Sequence, residues 1–233
     1  MGDPVDTLAA RWIAVRERVG AACIAAGRDP AEVTVLPVSK TFGPERVREA
    51  TALGLTRFGE NKVQELREKS AALADLPLHW VLIGHLQTNK AKDVARLASE
   101  VQSLDRLELA EALHRRLAAE GRTLEVLVQV KTSQEESKHG LPPEALPGFL
   151  ERLRDYDTLH VRGLMTLALQ SDQADAVRAC FRQLRQLREA AAARGHVLPR
   201  LSMGMSGDFP LAIAEGATEV RIGTAIFGRR SPA

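Results

Sequence analysis

Cysteine is nearly absent. Cys23 and Cys180 are the two in 233 residues, which excludes a multi-disulfide framework and any Cys-x-x-Cys redox or metal motif. Both are expected to be reduced, buried thiols. Aromatic residues are also scarce, at 4% of the chain, with a single tyrosine, Tyr156. An excess of charge of one sign is missing too: 32 Lys and Arg against 30 Asp and Glu leave a formal charge of +2. Nucleic acid is therefore not an expected partner, because phosphate neutralisation needs a clear basic surplus. No apolar run approaches the roughly 20 residues of a membrane span. The first residues carry Asp3, Asp6, Arg11 and Arg16 on a helical pattern in place of a hydrophobic signal core. These absences predict a cytoplasmic protein with no membrane association. There is no internal repeat, low-complexity tract or linker, so residues 1–233 read as one domain.

What is present is an ordinary globular composition, 45% hydrophobic and 27% charged, sufficient for a substantial core. Residues 5–26 show apolar positions at mostly helical spacing, ending at Gly27. After this additional N-terminal helix the pattern alternates. Strand-like runs occur at 33–38, 56–58, 80–83, 101–103, 124–130, 160–164, 200–202 and 219–222. Helical patterns fill 44–53, 62–74, 89–98, 106–120, 143–154, 175–194 and 209–215. Val126-Leu127-Val128 is continuously apolar, as expected for a parallel strand buried on both faces. Eight strands alternating with helices predict an α/β fold, a single (β/α)₈ TIM-type barrel. A doubly wound open sheet is the alternative. It normally carries a glycine fingerprint after its first strand, where Val38-Ser39-Lys40-Thr41 has no glycine.

In a barrel, function gathers at the carboxyl ends of the strands, with phosphate often held after strands 7 and 8. Those two positions read Ser202-Met203-Gly204-Met205-Ser206-Gly207-Asp208 and Arg221-Ile222-Gly223-Thr224. Small residues expose backbone amides, the hydroxyls add donors, and a helix begins after each loop, so the pair forms an anion cradle. Lys40 lies at the same rim, at the end of strand 1. Partial desolvation there would favour its neutral, nucleophilic amine. A carbonyl-seeking lysine facing a phosphate cradle implies a ligand with an aldehyde and a phosphate. Pyridoxal 5′-phosphate has both, and so do the sugar phosphates of aldolases.

Six segments, in order along nearly the whole chain, carry a family resemblance. They are Val38-Ser39-Lys40-Thr41, Phe58-Gly59-Glu60-Asn61, the run Ile83-Gly84-His85-Leu86-Gln87-Thr88-Asn89-Lys90, Gly163-Leu164-Met165, the 202–208 loop, and 220–228. Together they resemble the pyridoxal phosphate homeostasis protein family, related to the barrel domain of alanine racemase. The resemblance implies pyridoxal 5′-phosphate held as an aldimine on Lys40. It implies a phosphate held by Ser202 or the backbone around Gly204 and Ser206, together with Gly223 and Thr224. Arg221 would face the pyridine nitrogen and Asn61 would line the cofactor's side. Lys62 stands where an aromatic often follows the Glu-Asn pair, and the third strand lacks the histidine that often precedes its glycine.

The implied role is binding, for vitamin B6 supply and amino-acid balance, without committed turnover. An always-charged arginine at the ring nitrogen disfavours the protonated ring that makes a deep electron sink. A racemase-like enzyme is the alternative, and it needs a second base that Tyr156, in a helix-to-strand connection, is not placed to supply. Loss of the racemase's dimerising domain makes a monomer the expectation. Of the remaining groups, the six histidines show no metal-ligand spacing and are expected to be structural or surface residues. The arginines at 178–188 read as a solvated helix face. Met165, Met203 and Met205 read as packing. Lys90, Lys131 and Lys138 are the other amines near loop positions.

Overall fold

The computed structural model describes residues 7–133, 135 and 139–228. Helix α1 (Leu8–Ala25) starts where the Thr7 hydroxyl accepts from the Ala10 amide at 3.2 Å, and it stops at Gly27, whose φ of +67° suits glycine. Its buried face is Leu8, Val15, Val19 and Cys23. The rest of the chain alternates strand and helix. The order is β1 (Thr34–Pro37), α2 (Pro44–Thr51), β2 (Arg57–Glu60), α3 (Val63–Ala72), β3 (His79–Leu82), α4 (Ala91–Leu97) and β4 (Glu100–Leu104). It continues with α5 (Leu107–Glu120), β5 (Leu124–Gln129), α6 (Leu146–Leu153), β6 (Leu159–Met165), α7 (Ala174–Ala192), β7 (Arg200–Ser202), α8 (Phe209–Ala214), β8 (Glu219–Ile222) and α9 (Thr224–Phe227).

All strand pairs are parallel, in the order β1-β8-β7-β6-β5-β4-β3-β2. The seam between β1 and β2 is closed by a bridge from Val38 to Gly59, where the Ser39 amide donates to the Gly59 carbonyl at 3.0 Å. This is a (β/α)₈ barrel, and the open-sheet alternative is excluded by the pairing of β1 with β8. The predicted elements recur with ends shifted by a few residues. The starts of the predicted helices at 89–98 and 143–154 are single 3₁₀ turns, Thr88–Lys90 and Pro143–Ala145. Helix α1 packs on α8 and α9, and Arg28 donates to the Ile213 and Ala217 carbonyls at 2.9 and 2.7 Å. Cys23 and Cys180 are free and buried. Among the described residues no helix is long and apolar enough to cross a membrane.

The barrel axis is polar, contrary to the apolar filling common in this fold. At the amino ends of the strands, Arg57 and Arg200 clamp Glu100 and Glu219. Arg57 Nη1 lies 2.5 Å from Glu219 Oε2 and its Nη2 2.6 Å from Glu100 Oε2, while Arg200 reaches the same two carboxylates at 2.8 and 2.9 Å. Gln102 Nε2 donates to Glu100 and Glu219 at 2.7 and 2.5 Å. One layer higher, Ser202 Oγ donates to Gln102 Oε1 at 2.7 Å and accepts from Arg221 Nη1 at 2.8 Å. Arg221 Nη2 donates to the Thr166 carbonyl at 2.8 Å. A continuous file of hydrogen bonds thus runs from base to mouth.

Candidate functional site

Lys40 follows the last bridging residues of β1. Its neighbours are tightly held. Ser39 Oγ donates to Glu60 Oε1 at 2.6 Å, and Lys69 Nζ, reaching in from α3, donates to Glu60 Oε1 at 2.6 Å and to the Ser39 carbonyl at 2.8 Å. Glu65, one turn before Lys69, accepts from the Thr41 amide at 2.6 Å. Thr41 has φ of +71°, a left-handed conformation a β-branched residue adopts only under outside constraint. The strap around Ser39 and Thr41 supplies that constraint. Lys40 itself is half-buried and, among the described residues, its amine has no hydrogen-bond or ion-pair partner. Burial pushes the Glu60 carboxyl above its ordinary pKa, against the opposing pull of Lys69 and Ser39.

The end of β8 lies beside the strand that carries that lysine, and the loop after β7 lies beside β8. Val38 donates from its amide to the Ile222 carbonyl at 2.9 Å, so the end of β8 is hydrogen-bonded to the strand that carries Lys40. At Gly223 a Cβ would stand 3.1 Å from the Val38 carbonyl, which measures how closely the two strand ends approach. Helix α9 then begins at Thr224, its start capped by no side chain, and the Ile226 and Phe227 amides donate to the Gly223 carbonyl at 2.9 and 3.0 Å. Gly204 has φ of +94°, and a Cβ there would fall 2.6 Å from Ala212 Cβ. Only glycine lets this loop lie against α8 while its carbonyl accepts from the Arg221 amide at 2.9 Å. Asp208 Oδ1 accepts from the Met205 amide at 2.5 Å and folds the loop so that half-buried Ser206 sits near its tip.

Arg221 is 3% exposed, and both bonds described above go to uncharged acceptors. Burial pushes its pKa down to about 10, although Glu219 and Asp208 pull the other way. The guanidinium therefore remains charged at neutral pH. Ser202, predicted as a phosphate donor, has its hydroxyl committed to Gln102 and Arg221 inside the barrel. Asn61 is half-buried at the end of β2, and Gly84 is pressed on it so closely that a Cβ would lie 2.1 Å from the Asn61 carbonyl. The elements thus bring Lys40, Asn61, Gly204, Ser206, Arg221, Gly223 and Thr224 to the carboxyl half of one barrel, with Thr224 exposed. A buried cation with neutral partners, a free amine and two close-approach glycines fit an anionic ligand bearing an aldehyde.

Other residues fall elsewhere. Tyr156 precedes β6, at the amino end of the barrel, with its ring 5.4 Å from that of His114. Lys62 and Lys90 are exposed, Lys131 is half-buried, and Lys138 lies outside the described residues. Met165 and Met203 are fully buried packing residues, whereas Met205 is 40% exposed. The arginine face of α7 is not simply solvated: Arg178, Arg182 and Arg185 converge on buried Glu215 at 3.7, 3.1 and 3.7 Å. Sequence spacing gave no hint that His85, Asp105 and His139 meet, yet their ligand atoms lie within 4.8 Å of one another. Burial, followed by His139, lowers the pKa of His85.

Comparison with known proteins places this geometry. The family described as the alanine racemase N-terminal domain matches residues 17–231. A Pseudomonas aeruginosa protein named pyridoxal phosphate homeostasis protein is 45% identical over 226 residues, covering 97% of each chain. A protein of the same name from Aquifex aeolicus is 44% identical over 217 residues, 93% of this chain and 95% of its own. The structure of PipY from Synechococcus elongatus, described as having pyridoxal phosphate bound, superposes with a TM-score of 0.84 at 37% identity, covering 95% of this chain and 100% of PipY. The chain therefore belongs to the pyridoxal phosphate homeostasis protein family, built on the alanine racemase N-terminal-domain fold.

Proposed function

We propose that the protein binds pyridoxal 5′-phosphate for vitamin B6 homeostasis and amino-acid balance, as a single-domain cytoplasmic monomer that does not commit the cofactor to turnover. The observation that carries this reading is the hydrogen-bonded adjacency of the β1 and β8 ends. It brings the strand end that carries Lys40 to the loop from which α9 starts. The names of the relatives and the cofactor-bound PipY structure support the same ligand.

When bound, the cofactor supplies an aldehyde for an amine and a phosphate for the cradle. Lys40 would engage the aldehyde, and the Ser39–Glu60–Lys69–Glu65 strap would hold its loop against rotation. The backbone of Gly204, Ser206 and Gly223, with the Thr224 hydroxyl and amide, would take the phosphate, and Asn61 would flank the ring. Ser202 would act through Arg221, fixing the guanidinium by the bond it accepts. Arg221 would then face the ring nitrogen as a permanent cation and discourage its protonation. The chain's one tyrosine lies at the other end of the barrel and cannot serve as a proton donor opposite Lys40.

The test is incubation of the cofactor-loaded protein with L-alanine in heavy water. Negligible α-deuterium and no D-isomer are expected. Robust incorporation that vanishes in Lys40→Ala would make the protein a racemase-like enzyme. Deuterium without racemisation would overturn the Arg221 argument while retaining the missing-base argument. Recovery of colourless protein after pyridoxal 5′-phosphate is added and the unbound excess removed would favour an aldolase-type ligand instead.

A further inference from the structure

We propose that His85, Asp105 and His139 form a binding site for a borderline transition-metal dication of the Zn²⁺ class, separate from the cofactor cradle. The three residues come from different elements. His85 follows β3, Asp105 follows β4, and His139 ends the excursion after β5. In the strand order these elements stand across the barrel from β8 and β1. All three ligand atoms lie within 4.8 Å of one another; the two imidazole rings stack at 3.8 Å between centroids, 16° from parallel, so one exposed ring must turn for both nitrogens to face a single ion.

His85 Nδ1 is 3.8 Å from Asp105 Oδ2, too far for a hydrogen bond. Two ligand atoms each about 2.0–2.2 Å from one tetrahedral ion are roughly 3.3 Å apart, so a small side-chain rotation closes the gap. Imidazole nitrogen and carboxylate oxygen are the donors that Zn²⁺, Co²⁺ and Ni²⁺ accept together. Three protein ligands would leave a position open to water or to an exchangeable ligand.

Surrounding contacts fix the carboxylate and the backbone of this cluster. Arg106 Nη1 holds Asp105 Oδ1 at 2.6 Å, leaving Oδ2 turned to His85, while Arg106 Nη2 is anchored on the Leu86 carbonyl at 2.7 Å. Gln129, buried at the end of β5, donates to the His139 carbonyl at 2.8 Å. Just beyond it Leu141 returns to β5, its amide on the Gln129 carbonyl at 2.8 Å, and pins the end of the excursion. The Arg106 charge opposes a dication, so the site is expected to be exchangeable rather than permanently filled.

Tag-free protein is titrated at mildly alkaline pH with Zn²⁺ by calorimetry, and with Co²⁺ by visible absorption. One equivalent is expected, with a ligand-field spectrum indicating four-coordinate Co²⁺. His85→Ala and His139→Ala should each weaken binding at least tenfold, and Asp105→Asn should do the same. Both histidines are exposed, so their replacement spares the fold, which circular dichroism checks. If Asp105→Asn unfolds, the two histidine variants decide alone. No saturable binding by either metal overturns the proposal, as does binding left unchanged by either histidine variant.

Discussion

The two ends of the barrel solve the same problem, a charge buried among strands, in opposite ways. At the base, Arg57 and Arg200 close on Glu100 and Glu219 in a network that also engages Gln102. Burial opposes ionisation of Glu219, yet the two guanidiniums together hold its carboxyl below the ordinary value. Burial likewise opposes the charge on Arg57 and Arg200, and the two carboxylates outweigh it and raise both. At the mouth, burial prevails. It lowers Arg221 and raises Glu60, whose second oxygen has no hydrogen-bond partner among the described residues. A base that is electrostatically complete is costly to break, whereas a mouth that is incomplete is a place for a ligand to complete it.

The largest expected effect breaks the base. Glu219→Ala leaves two guanidiniums sharing one carboxylate, and removing one partner of a buried ion pair costs about 3–5 kcal/mol. For a chain of this size that lowers Tm by roughly 6–20 °C in a thermal melt. Cofactor affinity at low temperature should hardly change. A variant that binds the cofactor poorly yet melts normally would show that the two ends are not separable.

Lys69→Met breaks the strap at the mouth. The expected cost is smaller, roughly 1–3 kcal/mol, because Glu60 is already biased toward its neutral form and can shed the charge. Unlike the base variant it should also slow capture of the cofactor by Lys40, followed by stopped-flow absorbance. An unchanged capture rate would reduce the strap to a fold element.

Much of this was legible in the sequence. The eight strands followed from alternation, and the rim residues from their positions after strands 1, 7 and 8. The polar axis was not, although its signal is there: Glu100 and Gln102, Arg200 and Ser202, and Glu219 and Arg221 are i,i+2 pairs pointing to one face. Reading buried parallel strands as apolar hid them. The strap was hidden for another reason, since Lys69 lies on a helix whose charges read as solvent-facing until α3 is docked. The His85–Asp105–His139 cluster depends on three loops meeting, which no local spacing encodes. Likewise, Glu215 turned the arginine face of α7 into a helix-to-helix clasp.

Thr224→Val sharpens the comparison within the mouth by deleting one donor to the phosphate. Affinity for pyridoxal 5′-phosphate should fall about tenfold, the low end for a bond to a charged group because the side chain is exposed. Pyridoxal without phosphate should be nearly unaffected. An equal loss for both, by fluorescence titration, would remove Thr224 from the cradle.

The smallest effect is in pH dependence, and its sign differs between the ends. Glu219 is lowered in the fold, so its contribution is present above the ordinary Glu value of 4.5 and is lost as pH falls through the folded pKa. Glu60 is raised, so its contribution is present below 4.5 and is lost as pH rises through the folded pKa. In urea midpoints against pH, Glu219→Gln should flatten the acid limb, and Glu60→Gln should remove the opposing slope. The same limb altered by both would contradict the contrast.

The central claim is that the unpartnered amine of Lys40, beside the β8 cradle, is where the cofactor attaches. Its most direct measurement is borohydride reduction of the cofactor-loaded protein, followed by peptide mass spectrometry, on wild type and Lys40→Ala. The adduct should sit on the peptide containing Lys40 and be absent from the variant, which also loses its visible absorption. A full-yield adduct in Lys40→Ala, on Lys138 or any other lysine, would contradict it.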